Sequence, residues 1–221
     1  MLDFEALRQR MVDNQIRPSA VTDADVIRAM ASVPREVFAA ESEKPFAYAD
    51  RDLIMSHAAP HRRMLQPVQL ARLVQALPLG PHAKVLDVGC GSGCSAAVLA
   101  RLAGSVVALE EDAKLAAMAR ERLAGLGAAN VTVVEGKLVD GVPAESPYDA
   151  ILVDGAIEVV PESLISQLKK EGGALATIVR SERISRAMVY ERVGSKATKW
   201  PQFEAWAAGL PGFERKPEFV F

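Results

Sequence analysis

The sequence is poor in the residues from which disulfide-linked and metal-binding proteins are built. It has two cysteines, Cys90 and Cys94, and three histidines among 221 residues. Two cysteines at this spacing make no disulfide framework, and too few histidines accompany them to complete a zinc site. We therefore expect no metal ion, and the sparse cysteine usage fits a reducing compartment.

A large net charge and long apolar runs are also lacking. The 26 Lys and Arg residues nearly balance 28 Asp and Glu residues, for a net charge of −2. Nucleic-acid binders and polybasic membrane binders need excess positive charge, so neither partner is expected. No apolar run approaches the roughly 20 residues of a membrane span, and residues 1–5 lack the features of a signal peptide. We expect a cytoplasmic protein.

The chain does have ample material for a core, since 50% of its residues are hydrophobic. Up to about residue 80, apolar residues at helical spacing predict helices over 3–17, 22–31 and 67–77. A proline-broken, irregular stretch is expected at 33–65. The sequence thus predicts an N-terminal helical region over 1–80 that packs on the rest of the chain.

From residue 81 onward, short apolar strands alternate with helices. The predicted strands cover 84–88, 105–109, 131–134, 148–153 and 174–179, and the predicted helices cover 95–103, 113–126 and 161–168. This alternation is typical of βαβ units and a buried parallel sheet. Residues 81–221 are therefore predicted to form an α/β, Rossmann-like, doubly wound domain, with further strands at 186–192 and 218–221.

A glycine-rich turn follows the first of these strands. It reads Gly89-Cys90-Gly91-Ser92-Gly93 and leads into a helix. Glycine lets the chain turn sharply and lets a ligand approach the backbone, and the helix start offers free N–H groups. Glu110 ends the next strand, where an acidic side chain can bind both hydroxyls of a ribose. The pattern predicts a nucleotide-type ligand.

The residues around this turn favour one kind of nucleotide. Dinucleotide-binding loops have glycine at the sixth position, where this sequence has Cys94. Asp87 precedes the loop, and a carboxylate there suits a ligand with positive charge better than one with phosphates. S-adenosyl-L-methionine carries an ammonium and a sulfonium, so we predict it rather than NAD. The alternative is a turn that only packs strand against helix.

Several separate blocks resemble the protein-L-isoaspartate O-methyltransferase family of class I methyltransferases. The blocks are Met30–Phe38, Ala47–Asp50, Gln66-Pro67 with the helix after it, Val85–Gly93, Tyr148–Ile151 and Pro161–Gly173. The resemblance implies transfer of a methyl group from S-adenosyl-L-methionine to the α-carboxylate of an isoaspartyl residue in a damaged protein. It assigns cofactor binding to the loop residues Gly89, Cys90, Gly91, Ser92 and Gly93 and to Asp87 and Glu110.

The sequence departs from the family in the segment that faces the substrate. The family reads Gly-Gln-Thr-Ile-Ser-Gln-Pro, whereas residues 61–67 read His-Arg-Arg-Met-Leu-Gln-Pro. Leu65 stands at the serine position and Arg63 at the threonine position. The resemblance still implies that Leu65 and Gln66 lie at the cofactor. We predict Arg62 and Arg63 as catalytic residues, since a guanidinium grips a carboxylate bidentately; the alternative is a solvated basic turn.

Two further departures concern the ends of later strands. Lys137 and Leu138 follow Gly136 where the family has Asp-Gly, whose Asp meets the adenine edge, and both are predicted to contact the cofactor. The alternative for Lys137 is a side chain that points to solvent. Asp154 replaces the family's threonine after the fourth strand. It either binds a substrate amine or acts as a base, or it caps a turn at Gly155, and the cap is the favoured interpretation.

Three functions remain open on the sequence. The chain is expected to be an isoaspartyl methyltransferase with isoaspartyl proteins or peptides as partners. The alternatives are a methyltransferase with a rebuilt acceptor pocket that uses another substrate, and a methyltransferase-like protein that binds without catalysis. The sequence specifies no oligomeric state.

Overall fold

The computed structural model describes residues 2–57, 59 and 61–215, so the strand predicted at 218–221 lies outside the described residues. The helices are α1 Phe4–Met11, α2 Ala24–Ser32, α3 Pro67–Gln75, α4 Cys94–Leu99, α5 Ala113–Gly125 and α6 Glu162–Ile165. The strands are β1 Leu53–Ile54, β2 Arg63–Met64, β3 Lys84–Val88, β4 Ser105–Glu110, β5 Val131–Glu135, β6 Ala150–Ile157, β7 Glu171–Val179, β8 Arg186–Val193 and β9 Lys196–Glu204.

A seven-stranded sheet forms the centre of the molecule, in the order β5-β4-β3-β6-β7-β8-β9. Strands β3 to β7 run parallel, and β8 and β9 complete the edge as an antiparallel pair. The predicted α/β class with a mostly parallel, doubly wound sheet is confirmed. Since β3 lies between β4 and β6, the winding reverses there, and ligands bind at the carboxyl ends of strands at such a switch point.

The N-terminal residues share one hydrophobic core with the sheet. Phe38, Met30 and Leu73 are buried in the same cluster as Val85 and Ala176 of β3 and β7. A second cluster covers the opposite face of the sheet. The N-terminal residues therefore form the layer that closes one face, next to the glycine-rich turn.

The predicted first helix changes form along its length. Asp3 caps it, with Oδ1 accepting from the Ala6 N–H at 3.0 Å. The α-helix ends at Met11, and the chain continues as a π-helical turn over 12–16 and a 3₁₀ turn over 17–19. Pro18 lies in that last turn, where its missing N–H prevents a regular continuation.

Other predicted bounds are also wrong in detail. Helix α2 begins at Ala24 and not at residue 22, and Asp23 caps it, because the Asp23 Oδ1 accepts from both the Asp25 and Val26 N–H groups. Helices α4 and α6 end earlier than the predicted 103 and 168. Strand β8 confirms the strand predicted at 186–192.

Strand β6 is the difference that bears on function. It was predicted to end at 153, but it runs through Asp154 and Gly155 to Ile157. Its register with β7 shifts between Leu152 and Ala156, and this irregularity accommodates the polar residue and the glycine. Asp154 therefore lies inside a central strand.

Within the described part of the chain, none of the helices has the length and apolar character needed to cross a membrane.

Candidate functional site

The glycine-rich turn between β3 and α4 adopts the geometry that its sequence predicts. Gly89, Gly91 and Gly93 have φ angles of +80°, +56° and +101°, in the region that favours glycine. At Gly91 space is also restricted, since an added Cβ would lie 2.3 Å from the Met55 Sδ. The N–H groups of Gly89 and Cys90 donate to the Leu109 carbonyl, which ties the turn to the end of β4.

Glu110, at the end of β4, is fully buried beside this turn. Its Oε2 accepts from the Gly91 N–H at 2.8 Å. Its Oε1 accepts from the N–H groups of Glu111 and Asp112, each at 3.0 Å. The hydrogen bond from the Gly91 N–H thus joins Glu110 directly to the glycine-rich turn.

Arg62 occupies the space between Glu110 and the turn. Its Nη1 lies 2.6 Å from Glu110 Oε1 and its Nη2 lies 2.8 Å from Oε2, in a bidentate ion pair. Nη2 also donates to the Gly89 carbonyl at 3.1 Å. The side chain is 3% exposed. The alternative of a solvated basic turn is therefore wrong for Arg62, and its guanidinium already holds a carboxylate of the protein itself.

Two apolar side chains from distant parts of the chain pack on the turn at Gly89 and Gly91. Met55 Sδ lies 3.4 Å from the Ser92 nitrogen. Leu210 packs on Gly89 and on Gly155, where an added Cβ would lie 2.7 Å from Leu210 Cγ. No motif in the sequence marks Met55 or Leu210, because both reach the site by long-range packing.

Asp87 and Asp154 form a second acidic group beneath the turn. Asp87 Oδ2 accepts from Ser95 Oγ at 2.7 Å, while Oδ1 has no hydrogen-bond partner. Asp154 is 5% exposed and its Oδ1 also has no partner. The cap predicted for Asp154 is wrong, since the residue lies within β6 and no turn follows it.

Burial governs the protonation of these two carboxyls. It raises the pKa of Asp87 well above the usual value, and the charge of Asp154 adds to the effect. Burial likewise raises the pKa of Asp154 to about 6. Two desolvated carboxyls that repel one another retain a proton where an exposed pair would be fully ionised.

Arg35 ties the segment 61–67 to the N-terminal layer. It is 1% exposed, and it donates from Nε to the Ala47 carbonyl at 3.1 Å and from Nη2 to the Leu65 carbonyl at 2.8 Å. The Leu65 side chain is buried in the core. Gln66 precedes α3, and its Oε1 accepts from Gln69 Nε2 at 2.9 Å.

The remaining predicted site residues differ in exposure. Leu138 is buried and its N–H donates to Glu111 Oε2 at 3.3 Å, whereas the side chains of Lys137 and Arg63 are exposed. Their contacts with a cofactor or acceptor stay predictions.

The two cysteines are buried and free. Burial raises the pKa of Cys94 to about 11 and that of Cys90 well above its usual value, so both remain thiols. Among the residues that the structure describes, no group of three or more His, Cys, Asp and Glu side chains is placed to hold a metal ion.

An outer cleft opens at the carboxyl ends of β6 and β7. One cavity of about 490 Å³ is lined by residues that include His61, Ala156, Arg180, Trp206, Leu210 and Phe213. It adjoins a second cavity of about 650 Å³ lined by Glu158, Arg180, Ser181, Glu182, Arg183 and Arg215. Leu210 contacts both the first cavity and Gly89, so it separates the cleft from the glycine-rich turn.

Comparison with known proteins relates this architecture to one family. The family model described as protein-L-isoaspartate(D-aspartate) O-methyltransferase matches residues 6–204. A protein-L-isoaspartate O-methyltransferase from Methanoregula boonei is 40% identical over 189 residues, which cover 86% of this chain and 85% of the relative. One from Koribacter versatilis is 38% identical over 189 residues, covering 86% and 83%.

Solved structures agree with the sequence relatives. A protein-L-isoaspartate O-methyltransferase that is 27% identical superposes with a TM-score of 0.83 over 93% of this chain and 66% of that chain. A Plasmodium falciparum protein crystallised with S-adenosyl-L-homocysteine is 21% identical and has a TM-score of 0.75, over 95% and 99% of the two chains. The similarity to the Plasmodium falciparum protein supports the fold of this chain.

The family model spans most of the chain, and the relatives are similar over most of their own length. The chain therefore belongs to the protein-L-isoaspartate O-methyltransferase family, whose enzymes take their methyl group from S-adenosyl-L-methionine.

Proposed function

We propose that this chain transfers a methyl group from S-adenosyl-L-methionine to the carboxylate of an isoaspartyl residue in a protein or peptide. The observation that carries the proposal is the buried Glu110, held beside the glycine-rich turn by the Gly91 N–H. The carboxylate at this position is the group expected to bind a ribose. The names of the sequence relatives supply the acceptor.

The acidic residues beneath the glycine-rich turn fit a cationic nucleoside. Asp87 and Asp154 each present a buried carboxylate oxygen without a hydrogen-bond partner. Such oxygens are costly to leave unpaired, and an ammonium group would satisfy them, whereas a phosphate would be repelled. When bound, S-adenosyl-L-methionine supplies a methyl group activated by its sulfonium.

The chain has little proton chemistry to perform on a carboxylate acceptor. A carboxyl group is already ionised at pH 7, so no general base is required. The protein's task is to align the two substrates and to exclude water. Leu65 cannot donate the hydrogen bond of the family's serine, a loss of about 0.5–1.5 kcal/mol, and the segment offers the guanidinium groups of Arg62 and Arg63 instead.

The outer cleft suits a peptide that carries the acceptor. It lies at the carboxyl ends of the strands, next to the glycine-rich turn, and Arg180, Arg183 and Arg215 line it. Glu158, Glu182 and Glu214 line the same cleft, so its cationic and acidic side chains are equal in number. The cleft therefore favours neither sign of charge, and its position beside the turn is what supports a peptide acceptor.

The test is methyl transfer from methyl-labelled S-adenosyl-L-methionine to a peptide with one isoaspartyl residue. The matched control is the same peptide with an ordinary aspartyl residue. We expect base-labile label, the mark of a methyl ester, on the isoaspartyl peptide alone. Equal labelling of both peptides, or none on either at saturating donor, would contradict the proposal.

A further inference from the structure

The hydrogen-bonding capacity of Glu110 is already used. A carboxylate offers about four lone-pair sites. Glu110 accepts from three backbone N–H groups and from both terminal nitrogens of Arg62. The hydroxyls of a ribose can therefore form hydrogen bonds with Glu110 only if one of these hydrogen-bond donors moves away.

Arg62 is the donor that can leave. The three N–H groups belong to the glycine-rich turn and to the start of the segment before α5, so releasing them would break local backbone structure. The Arg62 guanidinium is held only through side-chain nitrogens, by Glu110 and the Gly89 carbonyl. Rotation of one long side chain releases it.

A displaced Arg62 needs a new anion. Its side chain is 3% exposed, and a buried cation that loses its partner is strongly destabilising. The unpaired oxygens of Asp87 and Asp154 are the groups suited to the donor's ammonium. The acceptor's own carboxylate is the remaining anion that the proposed reaction brings to the site.

Arg62 is also placed between the two substrates. The neighbouring residue His61 lines the outer cavity of about 490 Å³. The Arg62 guanidinium lies against Gly89, and Leu210 covers Gly89 from the side of that same cavity. A carboxylate that enters through the cleft past Leu210 therefore arrives next to this guanidinium.

We propose that Arg62 is shared by the two substrate sites. It neutralises Glu110 while S-adenosyl-L-methionine is absent, gives way to the ribose of S-adenosyl-L-methionine when that binds, and then binds the carboxylate of the isoaspartyl residue. This proposal rests on the function proposed above. It makes Arg62 a residue that determines acceptor specificity, and it makes the donor bind before the acceptor.

The test is titration calorimetry with S-adenosyl-L-homocysteine and then with the isoaspartyl peptide. The variants are Arg62→Gln, which removes the charge, and Arg62→Lys, which keeps the charge but loses the bidentate fork. Arg51→Gln is the matched control, because Arg51 forms an ion pair with Glu43 at the surface. Thermal unfolding measures whether each variant is folded. If Arg62→Gln does not fold, Arg62→Lys is the variant used for the comparison with the wild type.

We expect opposite effects on the two ligands. Arg62→Gln binds S-adenosyl-L-homocysteine roughly tenfold more tightly than the wild type, because nothing has to be displaced. At saturating S-adenosyl-L-homocysteine, Arg62→Gln binds the peptide roughly tenfold more weakly than the wild type does. The affinities of Arg62→Lys for the two ligands lie between those of the wild type and Arg62→Gln. Arg51→Gln matches the wild type. A residue with only a structural role would weaken both ligands together.

Two outcomes separate this proposal from the proposed function. If wild type and Arg62→Gln bind S-adenosyl-L-homocysteine equally, or if the peptide affinity does not fall in the variant, the shared role of Arg62 is overturned and the methyltransferase assignment stands. If neither protein binds S-adenosyl-L-homocysteine, the proposed function fails, and the shared role fails with it.

Discussion

Asp87 on β3 and Asp154 on β6 lie on neighbouring strands beneath the glycine-rich turn, and each keeps one buried carboxylate oxygen without a hydrogen-bond partner. Burial raises the pKa of both, and their mutual repulsion raises that of Asp87 further. One of these two carboxyls therefore stays protonated until a positively charged ligand binds beside them.

The first prediction concerns stability against pH. The pKa of Asp154 is near 4 in the unfolded chain and about 6 in the folded one, so the folded state holds the proton longer. The stability from this carboxyl is complete below pH 4 and is lost as the pH rises to about 6. We expect Asp154→Asn, which does not titrate, to gain stability relative to the wild type over this range, by up to about 3 kcal/mol at pH 7.5.

Urea unfolding at pH 4.5, 6 and 7.5 measures this difference. Asp149→Asn is the control, because hydrogen bonds with Lys169 and Lys84 lower the pKa of Asp149 despite its partial burial. That variant should be less stable than the wild type by an amount that stays nearly constant from pH 4.5 to 7.5, because Asp149 is ionised in both the folded and the unfolded chain over this range. A pH-independent difference between Asp154→Asn and the wild type would contradict the assignment of a buried, protonated carboxyl.

The second prediction concerns the glycine-rich turn. Gly91 has a φ of +56°, and an added Cβ would collide with Met55 Sδ. We expect Gly91→Ala to lower the free energy of unfolding by about 1–3 kcal/mol, from backbone strain and from this collision.

Chemical denaturation of Gly91→Ala and Gly125→Ala provides the comparison. Gly125 lies in α5, and no atom lies within 4 Å of an added Cβ. Alanine there should be neutral or stabilise the protein by about 0.5–1 kcal/mol. Equal stability of the two variants would show that position 91 does not need a glycine to adopt its positive φ angle.

The third prediction concerns Arg35, which joins two chain segments by donating to the carbonyls of Ala47 and Leu65. A lysine ammonium cannot span both carbonyls as the planar guanidinium does. We expect Arg35→Lys to reduce the free energy of unfolding by about 2–4 kcal/mol, because at least one buried carbonyl loses its donor.

Arg28→Lys is the matched control for this measurement. Arg28 is exposed on α2 and pairs with Asp25 one turn away, so its replacement should change stability by no more than about 0.5 kcal/mol. Denaturation curves for the two variants that coincide would mean that the Arg35 contacts contribute nothing to folding.

The local patterns in the sequence were sufficient for most of the fold. The strand, the turn at 89–93, the following helix and Glu110 are close in sequence, and each has a residue type that its conformation requires. The bidentate pair between Arg62 and Glu110 joins residues 48 apart, and no local pattern specifies such a pair. The charge of Arg62 was visible in the sequence, but its partner was not.

The course of β6 could not be predicted for a different reason. Asp and Gly are disfavoured in strands, so Asp154-Gly155 predicts a strand end. The strand continues because β7 pairs with it on both sides of a register shift, and Leu210 packs where Gly155 has no side chain. Tertiary packing thus overrides a correct local preference, and it does so at the candidate site.

A crystal structure of the protein with S-adenosyl-L-homocysteine bound tests most directly whether Glu110 binds the ribose. We expect the Glu110 carboxylate to lie within hydrogen-bond distance of the ribose hydroxyls and the Arg62 guanidinium to have left it. A structure in which Arg62 still holds Glu110 while the ligand occupies another position would show that Glu110 is not the ribose-binding carboxylate.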